Sequence, residues 1–207
     1  MYEKVLELVV KDQLESYLES KGIISEHQFG FRKHHSCETA IQVIIDNWKL
    51  VISEGKMVGV IFMDFKGAFE TVNRARLLNK LYDYGIRGKV LEWLNSYLNN
   101  RKQRVKVNDN WSEKLTTEYG VPQGSVLGPL LFIVYINDIV DNCHNDCNIK
   151  MFADDTILYV TGDSCEELEH KMNFMFNIVK NWLQINTLKL NTSKRKYMIV
   201  RGVRKNC

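Results

Sequence analysis

Two adjacent carboxylates, Asp154 and Asp155, stand between short apolar runs in Lys150-Met-Phe-Ala-Asp-Asp-Thr-Ile-Leu-Tyr-Val160. The flanking residues are β-branched or aromatic, which predicts strands over residues 151–153 and 156–160 and puts the pair at or near a hairpin turn. Side chains alternate faces along a strand, so such neighbours share a cation only where the turn bends them together. Like charges in an apolar hairpin repel one another, and a bound cation offsets the cost. Taken alone, the pair is better explained as an ordinary Asp-containing turn. A third carboxylate is available in Asp64, which ends the run Val58-Gly-Val-Ile-Phe-Met-Asp64. That run reads as a buried central strand. An Asp at its end could instead cap the helix that follows.

The elements that must position these groups are legible in order. An amphipathic helix is predicted over residues 3–20, with Val5, Leu6, Val9, Leu14, Tyr17 and Leu18 on one face. Ser36 is placed to cap a helix over residues 37–53, whose inward face would be Ile41, Ile44, Ile45, Trp48 and Ile52. Helices are expected at about 74–84 and 89–98. A hairpin with basic residues on one strand is expected between 104 and 118. Gly120-Val-Pro-Gln-Gly-Ser-Val-Leu-Gly-Pro129 is rich in turn-formers and opens an apolar helix at 130–140. Gly120 and Gly124 would let a backbone come close to a ligand. Ser164-Cys-Glu-Glu167 reads as a capping box for a helix to about residue 182. Short strands are expected near 188–191 and 197–200.

At 207 residues, with 45% apolar and 26% charged residues, the chain can build one sizeable core or a core with an appendage. Residues 87–106 carry six basic residues against one acid, and residues 189–207 carry seven with none. Blocks of this kind can serve a polyanion or form solvated faces. No apolar run is long enough to span a membrane, and no signal-peptide pattern is present. Five cysteines without a framework suggest a reducing, intracellular setting. Cys143-His144-Asn-Asp-Cys147 has one half of a zinc-ligand spacing without the other.

Five motifs in order resemble the reverse transcriptases of non-LTR retrotransposons, particularly the jockey-like elements. Gln28-Phe-Gly-Phe-Arg32 with Ser36-Cys-Glu-Thr-Ala40 looks like the fingers motif. Met63-Asp-Phe-Lys-Gly-Ala-Phe-Glu-Thr-Val-Asn73 looks like the first palm motif. The stretch from Gly120 to Leu131 looks like the template- and nucleotide-positioning motif. Phe152-Ala-Asp-Asp155 looks like the paired-aspartate box, and Leu190-Asn-Thr-Ser-Lys194 like the palm motif after it.

The resemblance implies an α+β fold, a right-hand polymerase palm with partial fingers. Its antiparallel palm sheet would be packed on helices, with the thumb missing, and the one-faced apolar patterning of the elements predicts helices on one face of that sheet. Residues 1–57 would be a partial fingers segment and residues 58–207 the palm. It implies RNA-directed DNA synthesis, with an RNA template, a DNA primer and dNTP as partners. Asp64, Asp154 and Asp155 would be catalytic and would bind two Mg²⁺ ions, with Mn²⁺ able to substitute. Arg32, Phe65, Phe69, Gln123, Gly124 and Lys194 would contact the nucleotide. Arg32 would hold the triphosphate, Phe69 would stack under the sugar, and Lys194 would protonate pyrophosphate. Glu70, acidic at a site that is not a ligand in the family, is left out of the set. Lys66-Gly67 and Arg195 depart from the family's usual residues, and Arg195 weakens the assignment of Lys194. A truncated relic that at most binds nucleic acid is the competing reading. A nucleotide cyclase on a palm fold is disfavoured, because it has no use for the fingers and positioning motifs. Repulsion within the triad predicts that Asp154→Asn and Asp64→Asn alike leave the metal-free fold as stable or more so.

Overall fold

The computed structural model describes residues 2–143 and 147–202. In chain order the elements are α1 (Tyr2–Ser20), α2 (Cys37–Ser53), β1 (Met57–Met63), α3 (Ala68–Thr71), α4 (Arg74–Asp83) and α5 (Gly88–Leu98). Four two-residue strands follow, β2 (Lys102–Gln103), β3 (Lys106–Val107), β4 (Asn110–Trp111) and β5 (Leu115–Thr116). The chain continues through α6 (Gly128–Ile136), a 3₁₀ turn over Asn137–Asn142, β6 (Cys147–Phe152), β7 (Asp155–Gly162), α7 (Cys165–Ile185) and β8 (Lys196–Val200). Two compact units result, Met1–Ile23 with Gly67–Tyr135, and Ile24–Lys66 with Ile136–Cys207. The units therefore divide the chain differently from the expected boundary at 57/58, because residues 24–57 share a unit with the sheet.

That sheet belongs to the second unit and is antiparallel throughout, in the order β6-β7-β1-β8. β1 is central because Val58, Val60, Ile61 and Met63 are all buried, with no polar alternate to face water. Helices lie on both faces, which corrects the one-faced expectation. Trp48 and Val51 of α2 pack on Val58, Val60 and Tyr159. On the other face Gly59 leaves room for Met172 of α7, whose sulfur lies 2.8 Å from where a Cβ would stand. Leu168, Met175, Val179 and Leu183 bury the sheet side of α7, as their helical spacing predicts. Ser164 caps that helix by accepting from the Glu167 N–H. Glu167 turns back to accept from the Asp163 N–H, one residue short of a reciprocal box.

The first unit is built on most of α6, whose residues from Leu130 to Tyr135 are all essentially inaccessible. A helix apolar on every side is a core helix. α1 departs from its predicted face. Leu14 and Leu18 are buried, but Val5, Leu6 and Val9 are about half exposed, and the buried residue of the first turns is Glu7. Its carboxylate accepts from the N–H groups of Val126 (2.6 Å) and Leu127 (3.3 Å), just ahead of α6. That satisfies donors a helix start leaves unpaired, and a negative charge there is favoured. α2 likewise leaves Ile41 and Ile45 largely exposed and buries Ile44.

Candidate functional site

In the second unit Asp64 follows the last residue of β1, and Asp154 and Asp155 sit at the β6–β7 turn. β1 and β7 are paired as far as Met63 with Thr156, so the two acidic segments leave the same end of neighbouring strands. β6 and β7 pair out to Phe152 with Asp155, which leaves Ala153 and Asp154 to make the turn. Ala153 takes φ 58°, the left-handed region that a residue with a Cβ rarely adopts.

That strained turn is held from behind by the segment around Gln28. Phe29 N–H donates to Met151 O (2.8 Å) and Met151 N–H to His27 O (2.8 Å), a parallel bridge onto the end of β6. The wholly buried Gln28 turns its side-chain oxygen to accept from the N–H of Gly30 (2.8 Å) and of Ala153 (3.1 Å). Gly30 lies so close that a Cβ there would stand 2.2 Å from Ala153 N. Only glycine permits this approach.

Asp64 is oriented from the other direction. Residues 189–191 run beside 64–66, with Lys66 N–H donating to Lys189 O, Asn191 N–H to Asp64 O, and an antiparallel bridge between Phe65 and Leu190. The Asn191 amide donates to the Asp64 carboxylate at 2.7 Å, and its own oxygen accepts from Ser193, which fixes which way it faces. The Lys194 ammonium completes the set, 3.3 Å from Asp64. Asp155 feels the whole group. Burial pushes its carboxyl up, the charges of Asp154 and Asp64 push it further, and Lys194 opposes them.

The proposed nucleotide contacts are placed as follows. The Arg32 guanidinium donates to Ser25 O and Gln28 O, so it braces its own loop. Phe65 is 2% exposed, so its ring is buried. In the first unit, the Phe69 ring stacks on buried Phe132, centroids 4.5 Å apart. The Gln123 amide donates to Glu70 (3.0 Å), so the acid left out of the set orients one of its members. Gly120, at φ 85°, meets its own chain: a Cβ would come within 2.9 Å of Glu70 O. The side on which a Cβ would stand is therefore taken by the chain itself. Gly124, at φ 73°, has open space around it and keeps the expected freedom.

A family model described as reverse transcriptase (RNA-dependent DNA polymerase) matches residues 1–205. The chain belongs to the reverse transcriptase family. Among its relatives are proteins of non-LTR elements of Drosophila melanogaster. One is a putative 115 kDa protein of the type-1 retrotransposable element R1DM, 30% identical over 98% of this chain and 19% of its own length. Another is a probable RNA-directed DNA polymerase from transposon BS, 27% identical over 92% of this chain and 22% of its own length. The domain thus spans about a fifth of the curated relatives it matches. Among solved structures it resembles telomerase from Candida albicans in complex with the TWJ fragment of telomeric RNA. That match has a TM-score of 0.70 at 14% identity and covers 99% of this chain and 35% of that one. This likeness places the fold, a partial palm and fingers of helices on an antiparallel sheet.

For this reverse transcriptase domain the donor chemistry suits hard divalent cations, three carboxylates with further positions open to water and phosphate. The ligand set is not preformed: among the described residues no three acidic, His or Cys side chains converge closely enough to hold an ion. Lys194 supplies the counter-charge instead. The Cys143–Cys147 spacing gains no metal partners among those residues, and His144 lies outside them. Among the described residues no helix is long and apolar enough to cross a membrane. Sequence reasoning missed Gln28, Gly30, Glu70 and Asn191 as positioning residues. All four stand inside quoted motifs, but their partners are distant in sequence. Asp64→Asn would also remove the ion pair with Lys194, a partner the sequence did not reveal.

Proposed function

We propose that this domain adds dNTPs to a DNA primer along an RNA template, with Asp64, Asp154 and Asp155 as the catalytic, metal-binding carboxylates. The observation that carries this is geometric: three carboxylates from two separate segments leave the same end of neighbouring strands, where their charges repel. A fold gains nothing from such repulsion unless cations use it. Two Mg²⁺ ions, or Mn²⁺ in their place, would supply acidity at the primer hydroxyl and charge neutralisation at the phosphates. The protein's own groups do the rest. Gln28 and Gly30 hold the turn that presents Asp154 and Asp155, and Asn191 orients Asp64. Lys194, 3.3 Å from Asp64, would offer its charge to the pyrophosphate. Phe69, Gln123 and Gly124 in the first unit, and the backbone of Phe65 in the second, would each contact the nucleotide, and Arg32 would serve the triphosphate after leaving its loop carbonyls. Residues 1–57 would act as partial fingers and residues 58–207 as palm, in an intracellular protein.

Primer extension on poly(A) with oligo(dT) and Mg²⁺ or Mn²⁺ tests this reading. Incorporation that Asp154→Asn abolishes supports it. Metal-dependent binding of primer-template without incorporation would support instead a relic that holds nucleic acid.

A further inference from the structure

Residues 101–117 form a two-stranded ribbon that nothing in the proposed reaction uses. β2 pairs with β5 and β3 with β4, and Asn108-Asp109 turns the tip. Every residue of these strands is exposed, Leu115 at 66% and Trp111 at 54%. A ribbon this short and bare is marginal by itself. Its base explains why it stands. Arg74, 5% exposed, donates from its guanidinium to Gly120 O, Tyr119 O, Thr117 Oγ1 and Thr117 O. Thr117 N–H in turn donates to Arg101 O at 2.9 Å. A buried charge with four acceptors is a rigid anchor. The ribbon is therefore fixed at its root and open along its length.

What it exposes has a consistent chemistry. The segment carries five basic residues, Arg101, Lys102, Arg104, Lys106 and Lys114, against Asp109 and Glu113. The Arg104 guanidinium lies 4.0 Å from the centroid of the Trp111 ring, and the Lys106 ammonium 5.7 Å. Lys106 also pairs with exposed Asp109 at 3.6 Å, a contact of little worth in water. At the root, Arg101 lies over the Tyr97 ring at 5.4 Å. An exposed aromatic face flanked by cations offers a base something to stack on and its phosphates something to pair with. Duplex bases are hidden in their stack, so the chemistry selects an unpaired strand.

We propose that the 101–117 ribbon is a binding site for single-stranded nucleic acid, with Trp111 as the stacking platform and Arg104 and Lys106 as phosphate contacts. The proposal rests on the polymerase reading only for the class of partner, and the site is separate from the carboxylates. It is tested on the intact chain by fluorescence anisotropy with a short labelled oligo(dT) across a salt series. Trp111→Ala should weaken binding about tenfold, the loss of one stacked base, without changing the salt slope. Arg104→Gln should reduce the slope of log K against log salt by roughly 0.7, one phosphate on a single strand. Trp111→Phe should restore most of the affinity, and a duplex of the same sequence should not distinguish Trp111→Ala from the parent. The proposal is overturned if the parent does not bind oligo(dT) at low salt. It is equally overturned if Trp111→Ala stays within about twofold of the parent, and the ribbon's apolar face would then be assigned to a protein partner. Should Trp111→Ala fail to fold, an unchanged salt slope in Arg104→Gln overturns it instead. A chain that binds in this way but never extends a primer refutes the polymerase reading and leaves the ribbon site standing.

Discussion

The β6–β7 turn and the tip of the 101–117 ribbon are built alike and held differently. Each is a tight antiparallel turn with a non-glycine residue in the left-handed region, Ala153 at φ 58° and Asn108 at φ 53°. Asn tolerates that region and Ala does not. The ribbon tip therefore needs no outside help, whereas the aspartate turn must be over-determined by Gln28, Gly30 and the bridge to Met151. The strained turn is the one that carries two carboxylates, and the tolerant one lies at the tip of the ribbon proposed to meet a flexible strand.

Substitutions test that contrast, beginning with the largest effect. Asp154→Asn should abolish primer extension and also the Mg²⁺-dependent rise in melting temperature, since metal would no longer bind the folded state selectively. Retained metal stabilisation in the variant would remove Asp154 from the site. Gly30→Ala should come next. Its Cβ meets Ala153 N at 2.2 Å and Phe152 C at 2.9 Å, both backbone, so the turn must move. A loss of about 3 kcal/mol in denaturant unfolding is expected, at the upper end for overpacking.

Gln28→Leu should cost about 2 kcal/mol, because two buried N–H groups lose their acceptor. It should also shrink the metal-induced shift in melting temperature, which a purely structural core residue would not do. The carboxylates themselves should differ in sign. Asp64→Asn loses the Lys194 pair and is expected to destabilise by no more than about 1 kcal/mol, as Lys194 is largely exposed. Asp155→Asn should stabilise the metal-free chain at neutral pH. The folded Asp155 pKa is raised, so its unfavourable contribution is absent below the ordinary carboxylate value, grows between that value and the folded one, and is complete above it. The variant's advantage in melting temperature should therefore fade as pH falls through the carboxylate range. The smallest effect is at the ribbon: Asn108→Gly should change stability by less than about 0.5 kcal/mol. A larger loss there would mean that the two turns are held alike after all.

The sequence disclosed the elements well because their signals are local. Ser36 and Ser164 cap helices within three residues of themselves, and the apolar run at 58–63 can only be a central strand. The acid pair was legible for the same reason. What stayed hidden depends on partners far along the chain. Glu7 reads as a surface residue of an amphipathic helix until Val126 and Leu127 arrive 119 and 120 residues later. Arg74 reads as a helix surface charge until Thr117 and Gly120 close over it. The apolar stripe of α1 predicted burial of Val5, Leu6 and Val9, which periodicity alone cannot separate from a face that stays open.

The bond between Gln28 and Ala153 also carries information about time. β6 and β7 are adjacent in sequence and can pair early, in microseconds. The tip between them cannot settle early, because its left-handed alanine is stabilised by an acceptor 125 residues away. Long loop closure comes late in folding. The aspartate turn should therefore be the last part of its hairpin to order and the first to open. In a chevron analysis Gln28→Leu should leave the folding limb nearly unchanged and raise the unfolding rate, the signature of contacts made after the transition state. A slowed folding limb would instead put the Gln28 contact inside the nucleus.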